Sequence, residues 1–251
     1  MDLKKVDKKG NQLNLVPHAN KHKFNDYYQM MLADSSSVEP SMEDIKCELQ
    51  LNSLNMFEKL SFHIRQKIED ELDIVKDMWV PYLRREGIMN DREGISLFGI
   101  KGMSIESGLS MPEVKKFLGR TPSELEFTEP TEAYFKLKAL HPIIEYFQPV
   151  ARTYLVKLNK GGFFPPHKDT PLLNRETFRI VAFLSEQNLC DNFEWEMDGR
   201  KQKITQYASY YVDTKQTHRT HSWDNDNIHL IMNIPKTWDN VMKLMSKLDS
   251  A

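Results

Sequence analysis

Apolar positions between Ser53 and Arg85 recur at steps of three and four: Phe57, Leu60, Ile64, Ile68, Leu72, Val75 and Trp79. Side chains three and four residues apart share one face of an α-helix, so this spacing predicts one long amphipathic helix ending near Pro81 and Gly87. Ser41 follows Pro40 and precedes Asp44 by three residues, an arrangement that resembles a helix N-terminal cap. The stretch 1–40 is polar, with serines at 35, 36 and 37 and few apolar anchors. It is expected to be a loosely held, flexible arm, with Tyr27, Tyr28, Met30 and Met31 as the residues able to dock on the body.

The region 41–150 reads as a helical support with one short strand, Ile95–Ile100. Ser110-Met-Pro-Glu113 has the form of a capping box, with Gly119 as a stop, and Thr121-Pro-Ser-Glu124 repeats the start signal. Thr131–Leu140 and Ile143–Phe147 are predicted helical, split by Pro142. After residue 150 the pattern changes. Runs rich in β-branched and aromatic residues lie at 151–158, 177–184, 192–197, 202–212 and 228–234, and Asp198-Gly199 is a two-residue hairpin turn signal. Helical signal returns only at Trp238–Leu248. Short strands that follow helices predict an α+β fold, a jelly-roll or antiparallel β-barrel core over 151–251 with a C-terminal helix, braced by the helices before it.

Composition narrows the class. A chain of 251 residues with 40% hydrophobic and 28% charged residues can bury about three quarters of its unfolded surface without covalent staples. The net charge of −2 and a pI near 6.5 give no broad pull toward nucleic acid or a membrane surface, and neither a basic stripe nor a stacking motif for nucleic acid occurs. The two cysteines, Cys47 and Cys190, stand outside any CxxC pattern, which favours a reducing, cytoplasmic compartment. The first residues lack the apolar stretch of a signal peptide, and no run approaches the length of a membrane span.

The most informative stretch is Gly161-Gly-Phe-Phe-Pro-Pro-His-Lys-Asp169. Alternate residues of a strand project to one face, so His167 and Asp169 can reach one cation together. Two ligands hold a metal poorly. About fifty residues on, Tyr210-Tyr-Val-Asp-Thr-Lys-Gln-Thr-His218 reads as a strand followed by a loop that delivers a histidine. Two histidines and a carboxylate make the facial triad of non-haem iron, which leaves three coordination positions for a chelating co-substrate and dioxygen. His221 is the rival third ligand. A zinc hydrolase can use the same ligands, although it usually adds a nearby general base.

The segments TYLVKLNKGGFFPPHKD, ETFRIVAFLSE, YYVDTKQTH and IHLIMNIP, in that order, resemble the aspartyl/asparaginyl β-hydroxylase and proline hydroxylase-like branch of the Fe(II)/2-oxoglutarate-dependent oxygenases. They cover roughly a third of the chain. The resemblance implies a double-stranded β-helix, Fe(II), and oxidative decarboxylation of 2-oxoglutarate to succinate. It matches His167 and Asp169 to the first two metal ligands and His218, five residues after Asp213, to the third. It matches Arg179 to an arginine that contacts the co-substrate; a surface salt bridge is the other reading of that residue.

One departure stands out. The family usually carries an arginine on the last strand, about ten residues beyond the distal histidine, where its planar fork clamps the far carboxylate of 2-oxoglutarate. This chain has Asn227 at that place and His229 two residues on. Asn227 and His229 are therefore the cofactor-binding candidates on that strand, with Arg219, Arg152 or Lys157 as cations able to approach from another direction. The implied function is hydroxylation of an unactivated C–H bond in an amino acid, a peptide side chain or another small metabolite. The alternatives are a non-catalytic jelly roll that binds a ligand or partner, and a cupin-like metal enzyme that does not use 2-oxoglutarate. Phe163, Phe164, Phe183, Trp195, Trp223, Tyr210 and Tyr211 are the aromatic candidates for a substrate pocket or for plain core.

Overall fold

The computed structural model describes residues 5–6, 12–13, 40–64, 67–82, 92–103, 111–185, 192–223 and 226–249. Fifteen strands occur among them: β1 (Lys5–Val6), β2 (Gln12–Leu13), β3 (Phe57–His63), β4 (Val80–Pro81), β5 (Arg92–Ser96), β6 (Phe98–Gly99), β7 (Glu129–Pro130), β8 (Thr153–Leu158), β9 (Phe163–His167), β10 (Thr177–Phe183), β11 (Phe193–Met197), β12 (Arg200–Lys201), β13 (Ala208–Val212), β14 (His218–Ser222) and β15 (Asn227–Pro235). Two antiparallel sheets dominate, a larger one in the order β3-β13-β10-β15-β8-β5-β4 and a smaller one in the order β12-β11-β14-β9. From β8 onward the chain passes back and forth between the sheets, which gives a jelly-roll-like arrangement.

Period-two alternation explains how the larger sheet is buried on both faces. On β10 the side chains of Phe178, Ile180 and Ala182 join a core with the helices, whereas Val181 and Phe183 face the smaller sheet. Tyr154, Val156 and Leu158 on β8 and Ile231 on β15 face the same way, against Phe193, Trp195 and Met197 of β11. A sheet covered on both sides reads in sequence as a nearly continuous apolar run, as 177–184 does. The hairpin turn falls where Asp198-Gly199 predicts it. Both residues have positive φ (47° and 75°), and Met197 pairs with Arg200, the backbone that a two-residue hairpin requires and glycine tolerates.

The long helix expected over 53–85 does not form. Phe57–His63 is an edge strand paired with β13, Ile68–Ile74 is a short helix, and Val80–Pro81 pairs with β5. Leu60, Ile64, Ile68, Leu72 and Val75 are all buried in the helix-side core, so the apolar spacing is satisfied piecewise. Pairing with the open edge of the larger sheet outweighs helix propensity. Residues 83–91, with the expected stop at Gly87, lie outside the described residues.

Other expectations shift by smaller amounts. Pro142 does not split a helix; it sits in the first turn of His141–Tyr146, where its missing N–H costs nothing. The run expected from 202 begins as a strand only at Ala208. Ser41 caps helix Met42–Leu51 reciprocally with Asp44. Ser110 and the rest of 104–110 are outside the described residues, and the second start signal is realised by Ser123, whose hydroxyl accepts from Leu125 N. Among the described residues no helix is long and apolar enough to cross a membrane.

Candidate metal centre

Two short segments meet at the smaller sheet. Gly161, with φ of 78°, turns the chain into β9, an edge strand on which Pro165 and Pro166 are tolerated because an edge need not donate every ladder hydrogen bond. The neighbouring strand β14 pairs His218 with His167. His218 therefore opens a strand, where a loop was expected. The β9 strand ends at His167, so Asp169 reaches the site from the following turn instead of from the same strand face. That turn is tied to the segment before β14. Asp169 N donates to Thr214 O (3.0 Å), and Asn174 accepts from Thr214 Oγ1 (2.8 Å) while donating to Asp169 O (3.3 Å).

One nitrogen from each of His167 and His218 and one oxygen from Asp169 lie within 4.8 Å of one another. His167 Nε2 is 3.8 Å from Asp169 Oδ1, and the two imidazole centroids are 4.3 Å apart. His167 Nδ1 contacts Pro165 O (2.8 Å) and His218 Nδ1 contacts Gln216 O (3.0 Å). A carbonyl only accepts, so each Nδ1 carries the hydrogen and each Nε2 the lone pair a metal uses. Arg179 Nη1 sits 2.5 Å from Asp169 Oδ2, so one carboxylate oxygen is ion-paired while the other faces His167. Two imidazoles and one carboxylate held this way suit a divalent first-row transition metal with open positions.

The cluster forms part of the wall of a cavity of about 510 Å³. Near the metal ligands the wall continues through Phe164, Thr170, Leu173 and Thr220. On one side stand Arg152, Arg179 and Glu124, linked by hydrogen bonds through Asn233, with the Tyr154 ring beside the Arg152 guanidinium. Arg179 Nε donates to Asn233 Oδ1 (3.1 Å), Asn233 Nδ2 donates to Glu124 Oε2 (2.8 Å), and Arg152 Nε donates to the same oxygen (3.0 Å). Burial works against the charge of each guanidinium. Glu124 beside Arg152 and Asp169 beside Arg179 more than reverse that effect, so both stay protonated.

On another side lies His229, 1% exposed. Its ring is ringed by Phe183, Phe193 and Trp195 at centroid distances of 5.7–6.0 Å. Burial pushes its imidazole down to about 3, so it is neutral at physiological pH. Its Nδ1 makes no hydrogen bond to any of the described residues.

The structure thus brings His167, Asp169, His218, Arg179 and His229 to one cavity. Asn227 is fully buried, donates to Ser222 Oγ (2.6 Å) and is not among the lining residues. His221 points to the opposite face of β14 from His218, edge-on to Trp223 at 3.8 Å. Of the three alternative cations only Arg152 lines the cavity. Arg219 pairs with Glu194 and Glu196 and is half exposed, and Lys157 pairs with Glu93 beside the Trp79 ring. Among the aromatic candidates Phe164 and Trp195 line the cavity. Tyr210 stacks on Phe57, Tyr211 joins the helix-side core, and Phe163 and Trp223 are exposed.

Glu124 and Asn233 were not singled out from sequence. Asn233 shares the parity of His229 and Ile231 on β15, a readable signal; Glu124 comes from a remote single-turn helix and offers none.

No protein-family description matches the chain, and no curated protein matches it. Solved structures with a similar arrangement include an oxidoreductase of the 2OG-Fe(II) oxygenase family from Burkholderia pseudomallei, 12% identical over 79% of this chain and 92% of that one, with a TM-score of 0.42. A viral collagen prolyl hydroxylase from Paramecium bursaria Chlorella virus-1, solved with 2OG, is 11% identical over 73% and 97%, with a TM-score of 0.38. An RmlC-like cupin from Shewanella frigidimarina is 15% identical over 35% and 68%, with a TM-score of 0.26. Of a conserved Streptococcus pyogenes protein of unknown function the chain spans 62%. At these values the likeness carries no argument about activity.

Proposed function

We propose that this protein is an Fe(II)- and 2-oxoglutarate-dependent dioxygenase that hydroxylates an unactivated C–H bond of an amino acid, a peptide side chain or a small metabolite, and that β8–β15 form its double-stranded β-helix. One observation carries the reading. His167, Asp169 and His218 present donor atoms within one ion's reach, with both imidazoles oriented by their Nδ1 hydrogen bonds, on the wall of a cavity that also holds two charged arginines.

His167, Asp169 and His218 would hold the iron. Bound iron with 2-oxoglutarate and dioxygen supplies the oxidising power, the co-substrate leaving as succinate and carbon dioxide. The chain's own residues orient and shield. Arg179 pairs with Asp169 and holds its carboxylate in place, and offers its charge to an anionic co-substrate beside the ligands. Phe164, Trp195 and Ile231 supply apolar wall that excludes water from the reacting groups. The wall at His229 bears a neutral imidazole in place of a fixed cation, which favours an uncharged neighbour there.

That neutral wall is also the observation that favours a second reading, a metal enzyme of the same triad that does not use 2-oxoglutarate. Anaerobic addition of Fe(II) and then 2-oxoglutarate separates the two. A visible charge-transfer absorption that needs both components is expected. Tight metal binding without that absorption, or turnover of a substrate in the absence of oxygen, would sink the oxygenase reading.

A further inference from the structure

The cavity changes character along β15. At Asn233 the ionic residues gather: Asn233 pairs with Arg179 on the adjoining strand, its N–H donates to Arg152 O, and its side-chain amide donates to Glu124. Four residues back along the strand, about 13 Å at the rise of extended chain, stands His229. Its surround is apolar, with Val156 as its partner on β8 and the rings of Phe183, Phe193 and Trp195 about it. On the smaller sheet Thr220 lies two residues beyond His218, on the same face of β14, and pairs with Trp195. We propose that Thr220 and His229 form a substrate subsite that selects an uncharged group able to donate and accept hydrogen bonds, a hydroxyl or a primary carboxamide, carried on an apolar body. The role as a substrate site rests on the oxygenase reading above; the selectivity does not.

Burial and bonding support the assignment. Thr220 and His229 both line the cavity although they are only 4% and 1% exposed. Thr220 Oγ1 and His229 Nδ1 make no hydrogen bond to any of the described residues. Buried polar groups are nearly always bonded, so two such atoms in one wall mark a place where an occupant supplies the partner. The imidazole is neutral at physiological pH. Together the two side chains therefore offer a hydroxyl, a ring N–H and a ring lone pair, and no charge. They match the donors and the acceptor of a carboxamide or a hydroxyl. A carboxylate or an ammonium group would give up its hydration at this end without meeting a counter-charge. Phe164, Trp195, Val156 and Ile231 complete the wall around them, a surface that suits hydrocarbon. A core that merely tolerates two unbonded polar side chains is the competing account.

The test uses full-length protein loaded with diamagnetic Zn(II), its histidine rings labelled with nitrogen-15, and three probes of one chain length: pentanamide, pentanoate and pentylammonium. The ring resonances missing from His229→Phe identify His229. In wild type, with and without saturating 2-oxoglutarate, pentanamide should shift those resonances saturably and bind about tenfold or more tighter than either ion. Thr220→Val, which keeps the shape and drops the hydroxyl, should lose most of that preference; full retention there overturns the pairing of Thr220 with His229. The wild-type comparison stands without any variant. Equal binding of an ion, or no saturable shift of the His229 resonances by pentanamide, overturns the proposal. So does 2-oxoglutarate that itself shifts those resonances and excludes pentanamide, since this end would then belong to the co-substrate. Failure of Fe(II) and 2-oxoglutarate to give their visible absorption, with the pentanamide preference intact in the absence of 2-oxoglutarate, overturns the oxygenase reading and keeps the selectivity of this subsite.

Discussion

His167 and His218 face each other across neighbouring antiparallel strands, their ring centroids 4.3 Å apart, each with Nδ1 bonded to a backbone carbonyl two residues before it. His167 is thus oriented by its own strand and His218 by the turn that leads into β14, and the pairing register of β9 with β14 brings the two rings together. Orientation by a hydrogen bond on the far ring nitrogen is what a metal site needs from its surroundings.

Replacement of any one of His167, Asp169 or His218 by alanine should lower divalent-metal affinity by more than about a hundredfold, with the far-UV circular dichroism unchanged. His221→Ala should leave metal content near wild type, because its ring packs on Trp223 on the other face. Elemental analysis after dialysis reads both. Metal lost from the 221 variant and kept by the 218 variant would reverse the ligand assignment.

Arg179→Met removes the partner of a carboxylate that is 9% exposed. Breaking a buried pair from one side costs about 3–5 kcal/mol, visible as a lower urea midpoint. Adding Asp169→Asn should recover much of the loss. An unchanged midpoint in Arg179→Met would mean that the pair contributes nothing to the fold.

Burial holds the His229 imidazole at about 3, far below its ordinary 6.5. The unfolded chain then binds the extra proton first as pH falls. The stability contribution is complete above about pH 6.5 and is lost on acidification toward 3, at about 1.4 kcal/mol per unit. Thermal unfolding of His229→Phe should be less sensitive than wild type between pH 6.5 and 4.5. Identical slopes would remove the imidazole as the cause.

Glu48 anchors the segment that leads to His218. Burial tends to raise its carboxyl, but the ammonium groups of Lys215 and Lys236 overcome this and bring it to about 2. Its stabilisation is present above about pH 4.5 and disappears as pH falls toward 2. At neutral pH Glu48→Gln should cost about 3–5 kcal/mol, since it removes the buried carboxylate that the ammonium groups of Lys215 and Lys236 share. It should also weaken metal binding through the displaced 213–218 loop. Wild-type metal affinity in a clearly destabilised variant would show that the loop holds its place without this anchor.

Features that depend on a few adjacent residues were legible in the chain. The Asp198-Gly199 turn, the cap at Ser41 and the β-runs after 150 need only local backbone preferences and period-two burial, and they stand within a few residues of where they were expected. The His167-x-Asp169 spacing was legible as a pair of ligands, though not as a strand end followed by a turn. The run 53–85 misled because spacings of three and four also fit a strand, a helical turn and a bridge that bury the same apolar residues in one core.

By itself the sequence determined the donor types, their order along the chain and the alternation that makes 177–184 a strand covered on both faces. Only the tertiary structure decided which cation enters the cavity. Arg152, Lys157, Arg179 and Arg219 are equivalent as charges. Side-chain parity and cross-strand pairing place Arg152 and Arg179 inside while Lys157 and Arg219 meet glutamates elsewhere. The physical reason is that the face a strand residue takes follows from register against segments distant in sequence, and a single-residue slip would exchange inside for outside.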